Sequence, residues 1–518
     1  MNTQALVSYK TDFGGTDHNF EILAGYEMYN RKSQNLSAEN DHLFNPFVGE
    51  LNNADGKANL AASSSSSTYM TQGFLGRVQY DYAGRYFISG SYRHDASSNF
   101  AKSGRWGDFG SVGLAWLISQ EGFMSGADAV DLLKLKASYG VQGNDSIGSF
   151  KYTDIYTHSY NEQTGEYSMT LASKGNPDLT WESSHSFNVG LDFELFNGYL
   201  TGGVEFFDRI TSDLLYSKQV PLSSGNPTGR IPVNVGSISN LGVEAVLGGK
   251  IISTKNVRWD WNLNISHYKN TILSLDESVA EEGIKGSNYI YKIGGSLYES
   301  YVRKFAGVDP ETGKALYVKK IFDEEGNWNG ATETTTDITK AEQFECGTTL
   351  PKIYGGLGTS LYVYGFDFSI QLSYQLGGKY YDGTYQSMML TQASAGSAIH
   401  KDILNAWTPT NTNTDIPRLD GDTTVGQTAV DRFFVSSNYL SVNNVTLGYT
   451  FPKKWTDKIK IGALRIYVAG ENLAVATARK GIDPRFSLGL GSYTSGSGLN
   501  SGYYSAMRNI SGGITLTF

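Results

Sequence analysis

The side chains that could do chemistry in this chain do not form a reactive set. Seven histidines, His18, His42, His94, His158, His185, His267 and His400, are scattered along 518 residues. None sits in an HExxH helix or at the ligand spacing of a zinc site. The single cysteine, Cys346, excludes an intramolecular disulfide framework and a cysteine-based zinc site. "GGLGTS" at Gly355–Ser360 has the small residues of a phosphate loop. It lies inside an alternating strand pattern with no helix after it, so small residues in a sheet wall explain it better. "FDEEGNWNG" at Phe322–Gly330 is acidic but lacks the EF-hand register and reads as solvated loop. No serine, histidine and aspartate share local support for nucleophilic catalysis. The expectation is a protein that is not an enzyme and holds no cofactor and no metal.

Charge points the same way. The net charge is −9, which argues against nucleic acid as a partner. Ser274–Thr349 carries 14 acids against 8 bases and reads as solvated surface. Aromatic residues make up 13 % of the chain, with 34 Tyr and 25 Phe, and proline is scarce at 11. That composition excludes disorder.

The elements that must position these residues are strands. In the closing "NISGGITLTF", Ile510, Gly512, Ile514, Leu516 and Phe518 share one face, while Asn509, Ser511, Gly513, Thr515 and Thr517 share the other. A period of two makes this a strand with one apolar face. "FDFSIQLSYQL", "SFNVGLDFELF" and "WDWNLNIS" alternate in the same way. About fifteen such segments recur, many near the roughly ten residues needed to cross a bilayer at a tilt. Tight connections such as Tyr82–Arg85, Asn197–Gly198, Ser253–Asn256 and Tyr364–Gly365 alternate with long polar ones at Arg31–Thr68, Gly143–Thr180, Ser274–Thr349, Tyr381–Ser437 and Val475–Tyr504. No run approaches the roughly 18 apolar residues of a membrane helix. A soluble β-sandwich also alternates. The polar faces rich in Asn, Gln, Asp and Ser, the aromatics at strand ends (Phe196, Tyr199, Tyr86, Phe87, Trp259, Trp261) and the loop asymmetry favour an all-β, antiparallel transmembrane β-barrel with long outer loops and short periplasmic turns. The expected location is the cell outer membrane, with a lipid bilayer around the wall. Ile510, Ile514, Leu516 and the terminal Phe518 then form the strand read by the outer-membrane barrel assembly machinery.

Parity adds an expectation. If the last strand runs inward and ends at Phe518, the first, Asn2–Lys10, also runs inward. An odd number of antiparallel strands cannot close, and single-chain bacterial barrels have even counts. The opening "MNTQALVSYK" is not a signal peptide either. The expectation is the C-terminal part of a longer protein, with residues 1–518 as one partial barrel domain.

Several stretches together resemble the SusC/RagA-type TonB-linked (TonB-dependent) outer-membrane transporters. They are "GRVQYDYAGRYFISGSYRHDASSNF" with Arg93 and Asp95, "NPDLTWESSHSFNVGLDFELFNG" with Trp181 and Glu182, "LPKIYGGLGTSLYVYGFDFSI", and the closing "RIYVAGENLAVAT" and "KGIDPRF" with Asn472, Gly481, Asp483 and Pro484. Their order and spacing cover nearly the whole chain. The resemblance implies a plugged barrel of about 22 strands, of which this chain holds about the last fifteen. It implies import of oligosaccharides or peptides under a SusD-like surface lipoprotein, energised by TonB–ExbB–ExbD through an upstream part. Ligand or lid contacts would then come from outer-loop aromatics: Tyr156, Tyr160, Tyr167, Trp328, Tyr380, Tyr381, Tyr385 and Trp407. Aromatic faces stack on the apolar side of sugar rings. Two other classes compete: a barrel enzyme of the outer membrane, and a secreted all-β binding protein or adhesin.

Overall fold

Tight turns set the frame. Tyr364 (φ 46°) and Gly365 (φ 97°) both lie in the left-handed region. That is the geometry of a two-residue hairpin turn whose twist matches its strands, and Val363 pairs with Phe366 directly beneath it. The computed structural model describes the chain apart from residues 55–60, 162, 287, 390–395, 397, 420–428, 479–482 and 487–505. Fifteen strands pair in strict chain order in one antiparallel sheet. The first eight are β1 (Asn2–Thr11), β2 (His18–Glu39), β3 (Ala61–Tyr82), β4 (Tyr86–Ser97), β5 (Trp106–Leu117), β6 (Val130–Asn144), β7 (Glu182–Leu195) and β8 (Leu200–Ser212). The rest are β9 (Ser237–Ser253), β10 (Val257–Ser274), β11 (Ile353–Val363), β12 (Phe366–Leu376), β13 (Tyr439–Thr450), β14 (Ala463–Thr477) and β15 (Asn509–Thr517). The strand count expected from periodicity is the count observed.

Contacts divide the chain into two units. One comprises Met1–Leu117, Lys136–Asn188 and Arg209–Ser237. The other comprises Ile118–Leu135, Val189–Asp208 and Ile238–Phe518.

In the second unit the register lines up whole rows. Trp259, Leu361, Phe368, Leu447 and Val468 stand side by side across β10–β14. The next row is Asp260, Ser360, Ser369, Thr446, Ala469 and Ser511. A slip of one residue in any ladder would exchange the two faces. The apolar face is the exposed one: Leu447 and Val468 are more than half exposed, and Ile510 (72 %), Ile514 (70 %) and Phe518 (91 %) more so. On the polar face, Arg465 forms a fork on Asp367, with Nε to Oδ1 at 3.0 Å and Nη2 to Oδ2 at 2.5 Å. Gly448 lies beneath this pair, and a Cβ there would fall 2.6 Å from both partners.

The first unit repeats the device. Arg93 bridges Asp95 (Nε to Oδ2, 3.0 Å) and Glu27 (Nη2 to Oε2, 3.3 Å), and Gln4 donates to the other oxygen of Glu27 at 2.8 Å. A Cβ at Gly73 would lie 1.8 Å from Asp95 Oδ1. This unit also corrects an expectation. Arg31–Thr68 is not loop throughout: β2 and β3 stay paired from Arg31↔Tyr69 out to Glu39↔Ala61. Each strand has 22 residues. At about 3.3 Å per residue such a strand is more than twice as long as a bilayer core of roughly 30 Å is thick. The serine run Ser63–Ser67 has no apolar alternation, so the periodicity that reveals strands is silent there.

A valine at Gly73 must push Asp95 off Arg93, and the expected loss is about 1–3 kcal/mol. Alanine at Gly90, where nothing lies within 4 Å of the added Cβ, should change stability by less than about 0.5 kcal/mol. Thermal unfolding in detergent, read by the heat-shifted mobility of the barrel on a gel, checks the contrast.

Candidate functional site

In the first unit the connection after β6 folds into a hairpin, Ile155–Asn161 against Glu166–Ser173. Its register sorts side chains cleanly. Tyr156↔Leu171, His158↔Met169 and Tyr160↔Tyr167 share one face, while Thr157↔Thr170 and Ser159↔Ser168 share the other. The hydroxyl face closes on itself, with Ser159 and Ser168 Oγ 2.7 Å apart. The aromatic face stays open: Tyr156, Tyr160, Tyr167 and Met169 are all more than half exposed. The rings of Tyr160 and Tyr167 sit 4.7 Å apart at 40°. Three expected contact residues therefore form one shelf that could stack on a flat, partly apolar ligand.

In the second unit the long connections build a body of their own. Glu299–Arg303 pairs with Gln343–Thr348, and Lys379–Tyr381 pairs with Phe434–Ser436. Phe305–Val308, Ala315–Phe322 and Trp328–Thr335 form a three-stranded sheet. Val302, Tyr317, Ile338, Tyr381, Tyr385, Val430 and Phe433 are among the residues of its core. Tyr381 and Tyr385, expected among the outer-loop contacts, are 2 % and 9 % exposed and belong to this core instead of an open surface. The Tyr381 hydroxyl donates to Gln386 Oε1 at 2.8 Å and accepts the Val430 amide at 3.3 Å. Burial raises its pKa well above the usual tyrosine range. Tyr385 donates to Asp402 Oδ2 at 2.9 Å. In a loop long enough to bury a core, aromatic residues are the ones that fill it.

The other aromatics fall between these cases. Trp407 donates from Nε1 to Pro310 O at 3.1 Å, and its ring covers Gly313 (φ +69°), where a Cβ would fall 2.3 Å away. It fastens one connection to the other. Trp328 is half-exposed, but its ring takes the Lys320 ammonium at 4.9 Å and meets Phe344 edge-on at 5.9 Å. Burial lowers the Lys320 pKa. The backbone of Tyr380 pairs with Val435, and its side chain is outside the described residues. The acidic stretch Phe322–Gly330 is a hairpin turn in which Asp323 Oδ1 accepts the amides of Glu325 (3.1 Å) and Asn327 (2.8 Å). Among the described residues no group of three His, Cys, Asp or Glu could hold a metal ion.

The remaining motif residues hold the framework. Trp181 donates from Nε1 to Arg105 O at 2.9 Å and packs on Phe100 and Phe109. Glu182 accepts from Asn144 Nδ2 at 3.1 Å and from the Leu215 amide at 3.1 Å. Near β13 and β14, Asn472 and Leu473 stand opposite the single Asn443 between the pairs Val442↔Ala474 and Asn444↔Glu471. Such a bulge re-aims a side chain. Asn472 Oδ1 accepts from Arg485 Nη1 at 3.1 Å, and the same nitrogen reaches Ser441 Oγ at 3.0 Å. Arg485 also forks onto Asp483, with Nε to Oδ1 at 2.8 Å and Nη2 to Oδ2 at 2.6 Å. Pro484 between them is fully buried. Gly481 lies outside the described residues. Two participants were not singled out from sequence. One is Arg485. The other is Asp145, whose carboxylate gathers Tyr69 (2.8 Å) and Ser97 (2.5 Å). Single polar residues between strands carry no periodic signal.

Paired strands with an exposed apolar face, a polar face laced with ion pairs and short turns at one end define an outer-membrane β-barrel wall. The comparisons agree. Residues 2–505 match the family described as TonB dependent receptor-like, beta-barrel, and the chain belongs to that family. It is 26% identical to TonB-dependent receptor P3 of Formosa agariphila, over 99% of this chain and 52% of that protein. It is 30% identical to TonB-dependent receptor SusC of Bacteroides thetaiotaomicron, over 80% of this chain and 41% of that protein. Among solved structures it superposes on the RagAB peptide transporter with a TM-score of 0.84 at 26% identity, covering 100% of this chain and 55% of that one. The chain thus spans about half the length of the relatives it matches, and within the family it is of the SusC/RagA type. Its place is the outer membrane.

Asp483 yields a test. Burial alone would raise its pKa, but Arg485 outweighs burial and holds it low. A carboxylate with a lowered folded pKa contributes stability above its unfolded value of about 3.9, and the contribution is lost as pH falls through the folded value. Asp483→Asn leaves a part-buried guanidinium with Ser441 and Asn472 as its remaining partners, and the expected cost near neutral pH is about 1–3 kcal/mol. The deficit should shrink toward acid in unfolding midpoints measured across pH.

Proposed function

We propose that this chain forms part of the wall of a larger barrel that imports oligosaccharides or peptides across the outer membrane. Residues 1–518 act as one barrel domain in this reading. A SusD-like surface lipoprotein closes over the outer loops, and TonB–ExbB–ExbD supplies the energy. The open shelf of Tyr156, Tyr160 and Tyr167 meets the ligand or the lid. The strand ending at Phe518, with Ile510, Ile514 and Leu516 on its apolar side, guides assembly. The observation that carries the reading is the chain-long likeness to a solved peptide transporter and to SusC, together with a sheet that turns its apolar face outward. An exposed aromatic shelf suits capture and passage of a flat, partly apolar ligand.

Deleting the gene in its host and following uptake of fluorescent oligosaccharide and peptide pools tests this. Loss of uptake of one pool, restored by the intact gene and abolished by collapsing the proton gradient, is expected. Unchanged uptake of both pools would contradict it.

A further inference from the structure

The loop body of the second unit carries a cavity that the transport reading does not use. It holds about 580 Å³ and is lined in part by Lys304, Glu345, Cys346, Lys379, Asp431 and Phe434. That volume is ample for a monosaccharide or an amino-acid side chain. Its walls are fixed by sheet pairing. Glu345 is held by Tyr301 on the neighbouring strand, and Lys379 and Phe434 lie on the two strands that pair through Lys379↔Ser436 and Tyr381↔Phe434. Both pairs rest on the buried core that contains Val302, Tyr381 and Phe433.

Its lining places two lysines, Lys304 and Lys379, beside two carboxylates, Glu345 and Asp431. Glu345 is neutralised by an ion pair with Lys292. Asp431 accepts the Phe305 amide at 2.8 Å. Glu299, behind Gly347, accepts that residue's amide at 2.7 Å, and burial pushes its carboxyl above the ordinary range. Burial also raises the Cys346 thiol, which stays neutral. The Lys304 ammonium stands 4.9 Å from the Phe344 ring centroid, and Lys379 donates to Cys346 O at 2.5 Å. Among the described residues neither lysine forms an ion pair. Two ammonium groups, Lys304 and Lys379, therefore line the cavity with Asp431 and with Glu345, which Lys292 pairs, and Glu299 stands outside the lining near Lys379. Gly347 adds no side chain beside them: its Cβ would lie 3.5 Å from Lys379 Nζ.

We propose that this cavity binds the carboxylate of an acidic ligand through the ammonium groups of Lys304 and Lys379, with the Phe434 ring as its apolar wall. Charge-assisted hydrogen bonds are about twice as strong as neutral ones, which suits a carboxylate in a cavity lined by two lysines. An acidic sugar and an acidic peptide present the same group. The inference rests on the reading of these loops as the ligand-meeting face.

The test is calorimetric titration of the purified protein in detergent with a galacturonate trimer, a glutamate tripeptide and the methyl esters of both. At least one acid should bind, and about tenfold more tightly than its ester. Lys304→Met and Lys379→Met should each weaken that acid about tenfold while leaving the ester unchanged. Lys304→Arg and Lys379→Arg, which keep the charge, should retain binding, and heat-shifted gel mobility verifies folding of every variant. The acid that binds identifies the source. Equal binding of acid and ester, no binding of either acid, or full binding by folded Met variants would overturn the proposal. Gene-dependent uptake alongside any of these would leave transport standing and remove this site alone.

Discussion

In the hydrocarbon of a bilayer no water is present to take a backbone N–H or C=O. Every such group in the wall must be paired within the protein. The long ladders meet that constraint from β1 to β15, whose outer edges have no ladder partner among the described residues, and the rest of the architecture follows from it. Once the backbone is paired, the period of two puts Trp259, Leu361, Phe368, Leu447 and Val468 in one continuous band. The opposite face is then free to be polar. Long side chains lie flat across it where glycine leaves room, as Asp367 and Arg465 do over Gly448 and Asp95 does over Gly73. The exposed band that would be a liability in water is the surface that lipid covers.

Beyond the bilayer the same chain solves a different problem. The connection Ser274–Thr349 and the segment that follows β12 are long enough to bury their own apolar residues. They do so around Val302, Tyr317, Tyr381 and Phe433. Trp407 on Gly313 and the Lys320 ammonium on Trp328 and Phe344 fasten the parts together. The result is a packed floor, against which lies the cavity lined by Lys304 and Lys379. The hairpin Ile155–Asn161/Glu166–Ser173 in the first unit is built otherwise. It has no buried face, and its aromatic side is left open.

The wall was legible in the sequence because alternation reports burial directly. The ladders of β10 to β15 fall where the alternating segments lie, and the tight turn at Tyr364–Gly365 is where its residue types place it. The paired Ser63–Ser67 stretch was not legible, since both its faces are wet and no period survives. The outer body was misread for the opposite reason. Tyr381 and Tyr385 stand among Asp, Gly and Thr in "YYDGTY", which reads as exposed loop, and only tertiary contact reveals that they are core. Tyr156, Tyr160 and Tyr167 stand in equally polar surroundings and stay on the surface. Local sequence does not separate the two sets, because burial in a loop depends on partners far away in the chain. The lock of Asp483 and Arg485 on Asn472 has the same character, since a single bulge in β14 aims the asparagine at an arginine thirteen residues on.

The most direct test of the wall is the environment of each face of β12. In a Cys346→Ser background, single cysteines placed from Phe366 to Leu376 would carry a nitroxide label in reconstituted bilayers. Collision rates with oxygen, which concentrates in lipid, and with a water-soluble nickel chelate would then be measured. Labels at Phe366, Phe368, Ile370 and Leu372 should favour oxygen, and those at Asp367, Ser369, Gln371 and Ser373 the chelate, in strict alternation. Uniform accessibility along the strand, or a preference for the chelate on the apolar face, would contradict a lipid-facing wall.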